Sequence, residues 1–165
     1  MKRYSFLIGL CLIVFSIAPA TTHAAQEIKP FVRGSYQQIV SARQGKPFII
    51  SFWSLSCGYC MDEMAMLRKL ARKHPRFDLV LISTDTPEEK ELVAAALAKF
   101  SPRNAETWLF ADSYTDPLFF EIDKKWHGEL PRTYLFSAKN EVTAFSGKLE
   151  RNVVEQWIKQ QYGHR

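Results

Sequence analysis

The sequence predicts a three-layer α/β fold with a mixed central sheet. Apolar runs of strand length, residues 48–53 and 77–83, alternate with stretches whose apolar residues recur at helical spacing. The chain then closes on two strand-like segments and a last amphipathic helix. The first run also leads into Ser54-Leu55-Ser56-Cys57-Gly58-Tyr59-Cys60, where small polar residues give way to two cysteines that open a helix.

The elements follow in order. Met1-Lys2-Arg3 is basic, residues 6–18 are almost wholly apolar, and Thr22-His23-Ala24 ends on a small residue. This is the pattern of a secretory signal peptide cleaved after Ala24, with residues 25–165 as one domain. The apolar run is short of the roughly 20 residues that span a bilayer; an uncleaved N-terminal anchor is the alternative. Cys11 lies within the run, so export leaves Cys57 and Cys60 as the cysteines of the remaining chain, in a compartment where a disulfide persists. Lys and Arg number 22 against 17 Asp and Glu. Lys2 and Arg3 leave with the leader, and the small remaining excess is unclustered, which does not indicate nucleic acid or a membrane surface.

Residues 25–30 read as an extended, loosely held lead-in. Residues 35–43 place Tyr36, Ile39 and Val40 on one helical face, with Gly45 as terminator. A buried strand over 48–53 follows. From Gly58, Met61, Met64, Leu67, Leu70 and Ala71 repeat at helical spacing to about His74-Pro75, and core packing explains the methionines better than a soft-metal site. Residues 77–83 form a second buried strand. Thr86-Pro87-Glu88-Glu89 opens a helix, with Thr86 as N-cap, that runs to about Phe100. Residues 107–110 read as a short strand, and Asp116-Pro117 starts another helix. Residues 132–137 and 141–145 pair as a hairpin, its last strand an antiparallel edge, and a helix around Val154 and Trp157 ends the chain.

Two cysteines separated by two residues on a first helical turn lie close enough to form a disulfide. One thiolate attacks a partner disulfide and the other resolves the mixed disulfide. The helix N-terminus favours thiolate on Cys57, so Cys57 is the attacking residue and Cys60 the resolving one. A zinc half-site lacks a second pair, and His23, His74, His127 and His164 lack ligand spacing. A purely structural bridge closing so short a loop constrains the unfolded chain little. Redox chemistry is the better account.

These residues resemble the thioredoxin superfamily, specifically its TlpA/ResA-type exported branch. The likeness rests on Phe52-Trp53 ahead of the cysteines, Glu63-Met64 beyond them, Ser83-Thr84-Asp85 after the next strand, and Leu130-Pro131-Arg132-Thr133-Tyr134-Leu135-Phe136. Residues 86–110 resemble that branch's α-β insertion. The resemblance implies a thioredoxin-like fold and a periplasmic thiol–disulfide oxidoreductase, most simply a reductase of protein disulfides kept reduced by a membrane thiol-electron donor. It implies neither cofactor nor metal. It implies that Pro131 follows a cis peptide bond beside the sulfurs, that Leu130 pairs with an extended substrate through its backbone, and that Glu63 and Trp53 tune the thiols. A nearby carboxylate opposes thiolate formation and relays a proton during resolution; the plainer reading of Glu63 is a solvated helix-surface acid.

The departures are specific. Ser51 stands where thioredoxins carry a buried aspartate, so that proton acceptor is missing. Ser56 replaces a tryptophan, Ala65 a proline, and Gly58-Tyr59 matches the dipeptide of periplasmic disulfide isomerases. Isomerase or oxidase activity on the same fold is therefore an alternative, although the chain has no room for an isomerase's dimerisation domain, and no basic residue within the pair favours an oxidant. A copper(I)-binding thiol chaperone for oxidase assembly is another, with His127 as a further ligand, although related chaperones space their cysteines one residue wider. A peroxidase is the weakest, since no Pro-x-x-x-Thr-x-x-Cys pattern activates a single thiol. Apocytochrome c, an oxidase assembly factor and misoxidised proteins are all compatible substrates.

Overall fold

The computed structural model describes residues 26–112 and 114–163. The expected leader, with Cys11 and His23, lies outside them, as does His164. The described strands are β1 (Ile28–Phe31), β2 (Phe48–Trp53), β3 (Leu79–Ser83), β4 (Glu106–Phe110), β5 (Arg132–Phe136) and β6 (Val142–Ser146). The helices are α1 (Ser35–Ser41), α2 (Gly58–Lys73), α3 (Lys90–Phe100), α4 (Asp116–Ile122) and α5 (Arg151–Tyr162). One six-stranded sheet runs in the order β1-β4-β3-β2-β5-β6. The pairs β1–β4, β4–β3 and β3–β2 are parallel, whereas β2–β5 and β5–β6 are antiparallel, and β1 and β6 are the two edges.

Strand parity divides the core in two. Ile49, Trp53, Leu79, Leu81, Leu109 and Leu135 face a layer completed by Cys60, Met64, Leu67 and Leu70 of α2, Val93 of α3 and Trp157 of α5. Phe48, Ile50, Phe52, Val80, Ile82, Trp108 and Tyr134 face the opposite layer, with Ile39 of α1 and Leu118 of α4. Because β2 and β3 are covered on both faces, each reads as a continuous apolar run.

The segment from Thr86 to Phe110 is the α-β insertion. Thr86 N donates to Glu89 Oε2 at 3.0 Å, and Pro87 begins a short 3-10 turn that leads into α3. β4 follows and carries the sheet outward to β1.

The lead-in at 25–30 is corrected. Ile28–Phe31 is a strand, paired parallel with β4 in the register Ile28↔Thr107 to Phe31↔Phe110. Pro30 disguised it, because proline donates nothing to a ladder; an edge strand tolerates it. Phe31 anchors the strand by stacking on Phe110 at 5.1 Å. Gln26 Nε2 adds a bond to the carbonyl of Ala105 at 2.6 Å.

Candidate functional site

The cysteine pair sits where β2 ends and α2 begins. Cys57 is the N-cap of α2, and its Sγ accepts from the amide of Cys60 at 3.2 Å. The two sulfurs are joined in a disulfide, with Cα atoms 5.3 Å apart. Cys57 is half-buried, whereas Cys60 is only 1 % exposed and belongs to the core layer under α2. A sulfur at a helix N-terminus meets free N–H groups and partial positive charge, which favour its thiolate once the bond is reduced. Tyr59 between the cysteines is 67 % exposed.

The turn before the pair is tied to β3. Cys57 N donates to the carbonyl of Ser54 at 3.2 Å. The amide of Leu55 donates to both carboxylate oxygens of Asp85, at 3.1 and 3.0 Å. Ser83 Oγ donates to Asp85 Oδ2 at 2.6 Å. Burial pushes the Asp85 carboxyl above its ordinary pKa, and the bonds from Ser83 and Leu55 pull it back in part.

β5 meets β2 in antiparallel register with Phe52 opposite Arg132. Pro131 therefore lies level with Trp53, at the end of β2 from which the cysteine turn departs. The Leu130–Pro131 bond is cis. Pro131 is buried, and Leu130 is half-buried against both core layers. The N–H and C=O of Leu130 form no hydrogen bond among the described residues. Trp53 is buried in the same layer as Cys60, and its indole N–H has no hydrogen-bond partner among the described residues.

Glu63 is not a solvated acid. It is 1 % exposed on the buried face of α2, three residues after Cys60. Its Oε1 accepts from Thr133 Oγ1 at 2.6 Å and from Ser51 Oγ at 3.1 Å, and its Oε2 accepts from the amide of Leu149 at 2.8 Å. Strand parity explains the meeting. Ser51 lies between Ile49 and Trp53 on the α2 face, and β2–β5 register sets Thr133 directly opposite it. Two hydroxyls thus form a polar gap in an apolar layer, and a carboxylate from the helix above fills it. Position 51 carries no carboxylate, as expected from Ser51, but the layer holds a buried one all the same, carried by the helix instead of the strand. Burial raises the Glu63 pKa, and its three hydrogen bonds oppose that rise in part.

His127 is exposed, in the loop between α4 and β5. Among the described residues, no group of three or more His, Cys, Asp and Glu is placed to hold a metal.

A profile of the AhpC/TSA family matches residues 17–145. The chain belongs to that family.

No curated protein matches the chain at a significant level. Solved structures do. This AhpC/TSA chain is similar to a secreted Mycobacterium tuberculosis disulfide oxidoreductase homologous to Escherichia coli DsbE, at 18% identity over 73% of this chain and 85% of that one, with TM-score 0.56. It is similar to M. tuberculosis DsbF, at 15% identity over 73% and 84%, with TM-score 0.59. A third is a putative thiol:disulfide interchange protein DsbE from Chlorobium tepidum, at 20% identity over 73% and 83%, with TM-score 0.54. At such identities the likeness is one of fold, and the fold is thioredoxin-like, as the sequence resemblance implied.

Within this AhpC/TSA chain, Cys57, Cys60, Trp53, Leu130 and Pro131 gather at one end of the sheet, with Glu63 beneath on α2. Sequence reasoning gave no role to Thr133, Leu149 or Asp85. A signal existed for Glu63 itself: Cys60, Glu63, Met64, Leu67 and Ala71 follow i, i+3, i+4 spacing, which puts the acid on the core stripe.

Proposed function

We propose that this chain is an exported thiol–disulfide oxidoreductase that reduces disulfides of protein substrates through Cys57 and Cys60. The observation that carries the reading is the asymmetry of the pair: a half-buried, helix-capping sulfur bonded to a buried one, with an enclosed carboxylate on the same helix.

In the reduced protein, the Cys57 thiolate attacks one sulfur of the substrate disulfide. The substrate S–S bond breaks, a Cys57–substrate S–S bond forms, and the other substrate sulfur leaves as a thiolate that takes a proton from water. The Cys60 thiol gives its proton to the Glu63 carboxylate, directly or through water, and its thiolate attacks Cys57 Sγ. The second substrate sulfur departs and is protonated. Two electrons have moved from the enzyme dithiol to the substrate, and the enzyme is left as the Cys57–Cys60 disulfide. A membrane thiol-electron donor restores the dithiol. Leu130, whose backbone groups form no hydrogen bond among the described residues, aligns the extended substrate chain beside Pro131, and Trp53 packs under the pair.

The periplasm is the working compartment, with residues 1–24 as leader. No helix among the described residues is long and apolar enough to cross a membrane.

Insulin reduction tests the activity, with Cys57→Ser as control. Wild-type turnover no faster than that of the variant ends the proposal. Cys60→Ser, expressed in the native compartment, is expected to accumulate mixed disulfides on Cys57 and so to name the substrates.

A further inference from the structure

The loop that presents Leu130 is held at both ends by one ion pair. Arg132, the residue after Pro131, directs its three guanidinium nitrogens to three separate segments. Nη2 donates to Asp123 Oδ2 at 2.6 Å, Nε to the Tyr134 hydroxyl at 3.0 Å, and Nη1 to Ser146 Oγ at 2.6 Å. Asp123 follows α4 directly and organises the loop's first turn: its Oδ1 accepts from Lys125 N at 2.9 Å and its carbonyl from Trp126 N at 3.0 Å.

The loop's interior is braced as well. The Trp126 indole packs on Phe52 at 4.8 Å and on Phe119 at 5.0 Å, and its N–H donates to the carbonyl of Glu129 at 2.9 Å. His127 N donates to Glu129 Oε2 at 3.2 Å. Gly128, at φ 94°, makes the left-handed turn this path requires. Pro131 O accepts from Gly147 N at 2.9 Å. Within this braced loop the main-chain groups of Leu130, like those of Lys124 and Gly128, form no hydrogen bond among the described residues.

We propose that Asp123 and Arg132 are positioning residues: their ion pair holds the 123–131 loop so that Leu130 is pre-aligned for an extended polypeptide, setting affinity for protein disulfides while leaving the sulfur chemistry alone. The proposal rests on the thiol-exchange reading above. Neither side chain contacts a cysteine. Three donors fixed in a plane are what an arginine supplies and a lysine does not, so the clamp is specific to Arg132. Holding a binding segment in its bound form raises affinity by removing the ordering cost from the binding step.

The test compares wild type with Asp123→Asn and Arg132→Lys on two oxidants, insulin and hydroxyethyl disulfide, the second having no peptide groups to align. The expected result is a KM for insulin raised about tenfold with kcat within about twofold, and hydroxyethyl disulfide turnover within about twofold of wild type. Amide exchange at Trp126 and His127 is expected to quicken in both variants, a readout that needs no activity. Variants that lose both substrates equally, keep the wild-type KM for insulin, or leave the exchange unchanged overturn the clamp. A wild-type chain that reduces neither oxidant overturns the thiol-exchange reading and the clamp's substrate role with it. A wild type active on both, with unchanged variants, removes the clamp alone.

Discussion

The Ser51 hydroxyl donates to Oε1 of Glu63 across 3.1 Å, so strand β2 and helix α2 share one buried carboxylate beneath the cysteine pair. The acid arrives from the helix side, and Thr133 and the Leu149 amide complete its surroundings. Its position three residues after Cys60 gives it a chemical consequence, and its burial gives it a thermodynamic one.

Glu63→Gln keeps shape and most hydrogen-bonding capacity while removing the ionisable carboxylate that the proposal makes the proton acceptor. Insulin reduction is expected to slow about 10²-fold or more at neutral pH, the scale of a lost general base. Wild-type turnover is expected to rise with pH as Glu63 ionises, burial holding its carboxyl above its ordinary value. That limb is expected to be missing from the variant's pH–rate profile. An unchanged limb excludes Glu63 as the acceptor.

The same group shapes stability. Its folded-state pKa is raised by burial, so the folded protein holds this proton more tightly than the unfolded chain. The stabilisation is full below the unfolded pKa near 4.5 and is lost as pH rises through the higher folded value. Urea unfolding of the disulfide form from about pH 4 to about pH 8 should show Glu63→Gln gaining on wild type with each step upward. Parallel curves would refute the assignment.

Ser51→Asp places a second carboxylate within hydrogen-bond reach of the first. Two like charges so close cannot both ionise readily. The single variant is expected to lose stability above neutral pH, whereas Ser51→Asp combined with Glu63→Gln recovers it, the charge having moved to the strand. A double variant as weak as the single one at pH 8 (set by buffer, about the top of the range above) would mean that the pocket does not treat the two sides alike.

Asp85→Ala removes the acceptor for the Leu55 amide and for Ser83 Oγ. A buried donor left without its partner costs about 1–3 kcal/mol, which urea unfolding will register. Asp85→Asn retains a carbonyl oxygen and should lose less. Because the anchored turn immediately precedes Cys57, amide exchange at Leu55 is expected to accelerate in the alanine variant. A protection factor equal to wild type would dismiss the tie.

Much of the fold was legible in the residues. The uninterrupted apolar runs of β2 and β3 declare strands buried on both faces, and the spacing of Met64, Leu67 and Leu70 declares α2. Thr86, Pro87 and Glu89 announce the insertion's helix. β1 escaped notice because Pro30 looks like a strand breaker and its partner β4 lies almost 80 residues away. For Glu63 the sequence left two readings open, a thiol-tuning acid and a solvated one, because an acid on an amphipathic helix ordinarily faces water; nothing in its own neighbourhood announces the hydroxyls of Ser51 and Thr133. The Asp123–Arg132 pair was invisible for the same reason, since the motif that holds Arg132 says nothing of Asp123 nine residues earlier.

What the chain determined by itself is its alternation of elements and the pairing of Cys57 with Cys60, because periodicity, capping and the spacing of two thiols act over a few residues. What the tertiary structure alone decided is where charge is enclosed. Glu63 meets Ser51, Thr133 and Leu149 across separations of 12, 70 and 86 residues. Only strand register and the docking of α2 on the sheet bring those groups within hydrogen-bond distance, and a carboxylate's protonation follows from the groups around it in space.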